Sequence, residues 1–323
     1  MLYTPKSTCD FLSEDNFDKE FTILENQLSL YRQSGFLNCH DGVKLNYNYY
    51  LNKNATKNVV IVHGLSEFIR KYHEMIYFYL NNNCNVFIYE QRYHGYSDRP
   101  ILNYDLIHVD SFDDYVKDLS SFIDTVVKAS NDLPICLFSH SMGGAIVGLY
   151  LQQNPTAIDK AIFCAPMICP TMQNVPRFIM RNYAKSYAKK TSWDAPFKYA
   201  HTFNPNVKVE ESNDLSEKRF LMNLSSRILD DHNKCSAFSN KWIYEATFLQ
   251  SKLIKKCNEK ITTKVLIFAG GLDKVVKLKP IIKYSKTLKN KTLCYIENAK
   301  HNIYNSTQDI LQTFYNAIKE FIK

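Results

Sequence analysis

Apolar residues recur along this chain in two rhythms. Short β-branched or apolar runs occur at 58–63 (NVVIVH), 86–89, 135–138, 161–164, 264–269 (KVLIFA) and 292–296 (TLCYI). Their length and composition predict strands buried on both faces. Between them, apolar positions fall three and four residues apart, the spacing of a helix face. Such stretches cover 67–80, 112–127, 143–153 and 307–322. The second places Tyr115, Leu119, Phe122, Ile123 and Val126 on one side. Asp113 and Asp114 sit in its first turn, where the helix dipole favours acids. The last places Ile310, Leu311, Phe314, Ile318 and Phe321 together. Strands alternating with helices predict an α/β fold, a mostly parallel sheet with helices on both faces.

The alternation breaks between residues 169 and 247. That stretch holds Trp193, Trp242 and several helical patterns, but no clear strand run. An insertion of this length inside an α/β fold usually covers a site. The predicted organisation is therefore a core over 1–168, a helical cap over 169–247 and a return to the core over 248–323.

Composition narrows the function classes. The 323 residues are 45% hydrophobic and 22% charged, enough for a sizeable core and against wholesale disorder. No apolar stretch reaches membrane-span length, and residues 1–21 lack the apolar core of a signal peptide. Nine cysteines, scattered in mostly apolar contexts with no metal-type CxxC pair, predict reduced buried thiols and a cytoplasmic protein. The net charge of +8 allows weak contact with anionic membrane surfaces. No basic block has the length of a nucleic-acid-binding tail. No nucleotide motif or metal signature is present, so neither cofactor nor metal is expected.

The chemistry centres on 138–144, Phe-Ser-His-Ser-Met-Gly-Gly, at a strand end that opens a helix. A nucleophile elbow needs that context, with small residues two before and two after the nucleophile. Ser139 and Gly143 meet the requirement around Ser141. An acyl-transfer enzyme also needs preset N–H donors for its oxyanion. In this architecture they come from Met142, after the nucleophile, and Leu65, after the His63-Gly64 strand end. His63, Gly64 and His140 flank these donors and are expected to contact substrate. An acid and then a histidine should follow downstream. Asp273, after the strand 264–269, and His301, between the last strand and last helix, hold those places. Glu90, in the polar loop from Tyr89 to Ser97, reads as scaffold.

These residues resemble the lysophospholipase and monoacylglycerol lipase branch of the α/β-hydrolases. The matching stretches are HGLSEFIRKY from His63, HGYSD from His94, HVDSFDDYVKDL from His108, SHSMGGAIVGLYLQQNP from Ser139, CAPM from Cys164, GGLDKVV from Gly270 and NAKHNIYN from Asn298. Ser139 stands where the family usually has glycine, Glu90 where it has aspartate, and Asn302 where an acid often follows the histidine. The resemblance implies a cap after CAPM and a monoacyl lipid substrate cleaved through an acyl-enzyme, with a broad short-chain carboxylesterase as the alternative. The position of 169–247 between Ser141 and Asp273, with its apolar and aromatic content, predicts a lid whose apolar inner face binds the acyl chain. Met172, Phe178, Ile179, Met180, Tyr183, Tyr187, Trp193, Phe197, Phe220, Leu221, Leu224 and Trp242 are the side chains expected there.

Overall fold

Every strand expected from the apolar runs is present in the computed structural model, which describes residues 2–4, 10–171 and 175–323. They are β3 (Lys57–Val62), β4 (Cys84–Tyr89), β6 (Ile135–His140), β7 (Lys160–Cys164), β9 (Lys264–Gly270) and β10 (Lys291–Ile296). All six run parallel, and an antiparallel hairpin, β1 (Gln33–Asn38) with β2 (Lys44–Tyr50), extends the sheet beyond β4. The strand order is β1-β2-β4-β3-β6-β7-β9-β10.

The runs are unbroken because each strand feeds two cores. Val60, Val62, Leu137, Phe163 and Ile267 face one of them. Val59, Ile61, Phe138, Ile162 and Phe268 face the other. Helices cover both faces. They are α1 (Phe17–Tyr31), α2 (His73–Asn81), α3 (Phe112–Phe122) continued through a π turn into the short α4 (Lys128–Ser130), α5 (Met142–Gln153), α10 (Leu278–Thr287) and α11 (Gln308–Ile322). Ser111 caps α3 reciprocally with Asp114, which fixes where that helix starts. The hairpin, α1 and α10 lie outside the sequence expectation.

Between β7 and β9 the chain forms α6 (Arg177–Lys190), α7 (Glu217–Leu229), α8 (Asn240–Ala246) and α9 (Leu249–Leu253). Contrary to expectation, this stretch also contains a strand. β8 (Ala237–Phe238) pairs in parallel with β5 (Leu106–Ile107), too short a run to stand out in the sequence. A second attachment is the Arg219 guanidinium of α7. It is 1% exposed and pairs with Glu74 of α2 at 2.6 Å and with Glu14 at 2.7 Å. Removing one partner from such a buried pair typically costs about 3–5 kcal/mol, so α7 is firmly seated on the core.

Candidate active site

Close packing shapes the turn after β6. Ser141, the first residue past the strand, has φ 49° and ψ −113°, a conformation that a side chain holds only under constraint. Its N–H donates to the Cys164 carbonyl at 3.0 Å, and its own carbonyl accepts from Met167 at 2.8 Å. A Cβ at position 143 would lie 2.0 Å from the Val62 carbonyl oxygen, so only glycine lets α5 start this close to β3. Ser139 is more than small: its hydroxyl donates to the Ile162 carbonyl at 3.0 Å.

The ends of β9 and β10 bring two further groups to this turn. His301 Nε2 lies 2.9 Å from the Ser141 hydroxyl, and His301 Nδ1 lies 2.7 Å from Asp273 Oδ2. Asp273 Oδ1 accepts from the Val275 and Val276 N–H groups at 2.8 and 3.0 Å. Burial pushes the Asp273 pKa up, but these bonds, the His301 contact first, hold it below its ordinary value. The carboxylate is thus fixed as an acceptor, Nδ1 carries the proton, and Nε2 is free to accept from Ser141. Glu90 lies elsewhere: its carboxylate accepts from Asn46, Ile69 and Tyr96 at 2.7–3.1 Å and organises that loop.

Two backbone N–H groups beside Ser141 remain uncommitted. Among the described residues, neither Leu65 nor Met142 donates its N–H to any group. The loop carrying Leu65 is held from behind. His63 Nε2 accepts from the Gln91 N–H at 2.9 Å, so its Nδ1 donates to the Gly64 carbonyl at 2.7 Å. His94 Nε2 likewise accepts from the Ser66 N–H at 3.1 Å while Nδ1 donates to the Arg92 carbonyl. Burial favours the neutral form of both rings and lowers the His63 pKa to about 4. This corrects the expectation that His63 and Gly64 contact substrate. Both ring nitrogens of His63 are used internally, and neither residue lines the cavity, whereas His140 does.

A second carboxylate–imidazole pair, unexpected from the sequence, lies beside the first. Glu67 is 3% exposed and accepts from Tyr72 at 2.6 Å, Tyr304 at 2.7 Å, Lys71, the Gly64 N–H and His140 Nδ1. Burial opposes its charge, but His140 and Lys71 overrule it, and the carboxyl stays well below its usual range. The HGLSEFIRKY stretch contains Glu67 and Lys71 at helical spacing, yet that spacing alone reads as an ordinary exposed pair.

The cavity in front of Ser141 measures about 570 Å³. Its floor is Leu65, His140, Ser141, Met167 and His301, and its far wall includes Phe203, Val207, Phe220, Leu224, Phe238 and Trp242. The expected apolar face is therefore largely displaced. Of the twelve side chains named above, Phe220, Leu224 and Trp242 line the cavity. Phe178, Ile179 and Leu221 are exposed, and Met172 lies outside the described residues. The segment before α7 also grips the His301 loop. Lys300 Nζ donates to the Ser212 and Asp214 carbonyls at 3.0 and 3.1 Å, and Asn302 and Asn305 donate to the Asp214 carboxylate.

The family model described as Serine aminopeptidase, S33 matches residues 53–308, most of the chain and every group of this site. The chain belongs to that hydrolase family. Lysophospholipase L2 of Escherichia coli strain K12 is 34% identical over 134 residues, 41% of this chain. The alignment spans only 39% of that relative's length. Probable lysophospholipase L2 of Haemophilus influenzae is 22% identical over 301 residues, covering 89% of this chain and 91% of the relative. Monoglyceride lipase of Mus musculus is 30% identical over 129 residues, 40% of this chain and 41% of the relative. Among solved structures, a soluble variant of monoglyceride lipase from Saccharomyces cerevisiae superposes with a TM-score of 0.72 at 20% identity, covering 90% of this chain and 94% of the other. Paleococcus ferrophilus monoacylglycerol lipase gives 0.65 at 21% identity, covering 86% and 98%. The fold is that of the α/β-hydrolases. Among the described residues no helix is long and apolar enough to cross a membrane.

Proposed function

We propose that this protein is a serine hydrolase of carboxylic esters that acts on monoacyl lipids, with Ser141 as nucleophile, His301 as base and Asp273 as the orienting acid. The observation that carries the reading is the continuous hydrogen-bonded line from Asp273 through His301 to Ser141, at 2.7 and 2.9 Å. His301 takes the Ser141 proton as the oxygen attacks the ester carbonyl. The Leu65 and Met142 N–H groups receive the oxyanion, and Asp273 stabilises the imidazolium. His301 then protonates the departing alcohol, and water activated by the same imidazole hydrolyses the acyl-enzyme.

Residues 169–247 act as a cap over the core formed by 1–168 and 248–323 and supply the apolar wall for the acyl chain. Two supports favour a monoacyl lipid over a short-chain ester: the apolar side chains that the cap contributes to the cavity, and the similarity to a lysophospholipase and a monoglyceride lipase. The test is labelling with a fluorophosphonate probe, alongside hydrolysis of monoacylglycerols of graded chain length. Labelling lost in Ser141→Ala, with kcat/KM rising with chain length, is the expected result. An unlabelled wild type overturns the nucleophile, and a flat series returns the reading to a broad carboxylesterase.

A further inference from the structure

The cavity wall holds a cation that ester hydrolysis does not use. Arg227 lies one helical turn after Asn223 on α7, so both side chains fall on one face, and both line the cavity. Arg227 donates through Nε and Nη2 to the carbonyls of Asn233, Lys234 and Cys235, each at 3.1 Å, and to the Ser236 hydroxyl. Its guanidinium carbon sits 4.4 Å from the Phe203 ring centre. Nη1 makes no hydrogen bond among the described residues. Burial lowers the guanidinium pKa, opposed weakly by Cys235 and Asp105, and among the described residues Arg227 forms no ion pair. Arg219, two turns earlier on the same helix, has two carboxylate partners instead.

Asn223 supplies an independent observation. It is 8% exposed, and among the described residues neither its amide nitrogen nor its amide oxygen has a partner. A buried amide left unmade on both sides is unfavourable unless something that enters the cavity completes it. Of the cavity's carboxylates, Glu67 is bound to Lys71, His140 and two tyrosines, Asp214 to two asparagines, and Glu211 accepts the Lys208 N–H at 3.4 Å; none of them bonds Arg227 or Asn223. Among the described residues, the free donors on α7 therefore face the chamber with no carboxylate bonded to them.

We propose that Arg227 and Asn223 form an oxyanion-binding site for a phosphate group carried by the alcohol side of the substrate. The inference rests on the Ser141 reading and deepens it, because it makes α7 the element that selects a phosphate-bearing monoacyl lipid over a neutral one. Arg227 Nη1 and the Asn223 amide N–H donate to non-bridging phosphate oxygens, while the existing carbonyl bonds hold the guanidinium in place.

The test uses the full chain with two substrates that share one scissile ester, 1-lauroyl-glycerol and 1-lauroyl-glycerol 3-phosphate. The wild type should prefer the phosphorylated ester. Arg227→Gln and Asn223→Leu should each lower that preference about tenfold or more, mainly through KM, since each removes a hydrogen bond to a charged group. The Asn223 side chain makes no hydrogen bond among the described residues, so Asn223→Leu decides the matter even if Arg227→Gln does not fold. Inorganic phosphate added to the 1-lauroyl-glycerol assay separates the sources. Inhibition weakened in both variants means the site takes free phosphate, and overturns its assignment to the lipid head group unless the phosphorylated ester is also preferred. Two active esters with no preference, or a preference untouched by either variant, overturns the proposal. Failure of both esters together with failure of fluorophosphonate labelling instead overturns the Ser141 reading.

Discussion

Two carboxylate–imidazole pairs lie side by side behind the cavity, Asp273 with His301 and Glu67 with His140, their rings 4.8 Å apart. Each carboxylate is buried, each receives an Nδ1 proton, and burial opposes the charge of both acids. They differ at the other ring nitrogen. His301 Nε2 faces a hydroxyl that can give up a proton, whereas His140 Nε2 faces the His301 carbonyl, which can only accept. Burial lowers the His140 pKa, and a neutral ring has one donor, already used on Glu67. One pair can therefore move a proton toward a nucleophile. The other can only hold its neighbours in place, because Glu67 ties together the Gly64 N–H, Tyr72 and Tyr304. The same chemical unit becomes a base or a strut according to what stands at its far nitrogen.

The sharpest way to break this contrast is to disable one pair at a time. Ser141→Ala, His301→Ala and Asp273→Asn should each lower kcat on a monoacyl ester by about 10³-fold or more, with the melting temperature close to wild type for Ser141→Ala. If Glu90→Gln proves more damaging than Asp273→Asn, the acid has been misassigned. Glu67→Gln should show the opposite balance. It leaves Lys71 without its counter-charge and weakens the acceptor of the His140 Nδ1 proton, so unfolding in denaturant should record a loss of about 3 kcal/mol. A 10³-fold fall in kcat with unchanged stability would make Glu67 a chemical participant.

Acid should reveal the strut before the base. The folded protein holds His63 neutral with a pKa of about 4, against an ordinary 6.5. In that window the unfolded chain binds more protons, so stability declines as pH falls, by about 3 kcal/mol from this ring once pH 4 is reached. Asp273 and Glu67, both depressed, destabilise the fold in the same direction at lower pH. Chemical denaturation at a series of pH values checks this, and a flat profile between 6.5 and 4 would exclude a neutral His63. The smallest effect belongs to the cap. Phe220→Asn or Leu224→Asn should flatten the rise of kcat/KM with acyl length, which has a ceiling of about 0.8 kcal/mol per CH₂. A parallel loss at every chain length would mean that these side chains only stabilise the cap.

What the sequence made legible follows the same division. β3, β6 and β9 are apolar on both faces, so their runs stand out, and the turns that follow them carry Leu65, Ser141 and Asp273. The antiparallel hairpin hides because β1 buries chiefly Leu37 and β2 mixes asparagines with tyrosines. In α1 the buried stripe of Phe17, Phe21, Leu24 and Leu28 is blurred by Ile23 and Leu30, which are exposed. Glu67 could not be picked out, since a Glu–Lys pair at helical spacing looks alike whether solvated or buried. The inner face of the cap was mostly misjudged because aromatic content says how apolar a segment is, not which way it points.

Lys300 lends the site a mechanical property. Its ammonium is clasped by carbonyls of the segment just before α7, and the next residue along the chain is the imidazole that contacts Ser141. Any displacement of that segment is transmitted to His301 through a single peptide link. Pulled away from the sheet, residues 212–214 would therefore tug on the loop that carries the base.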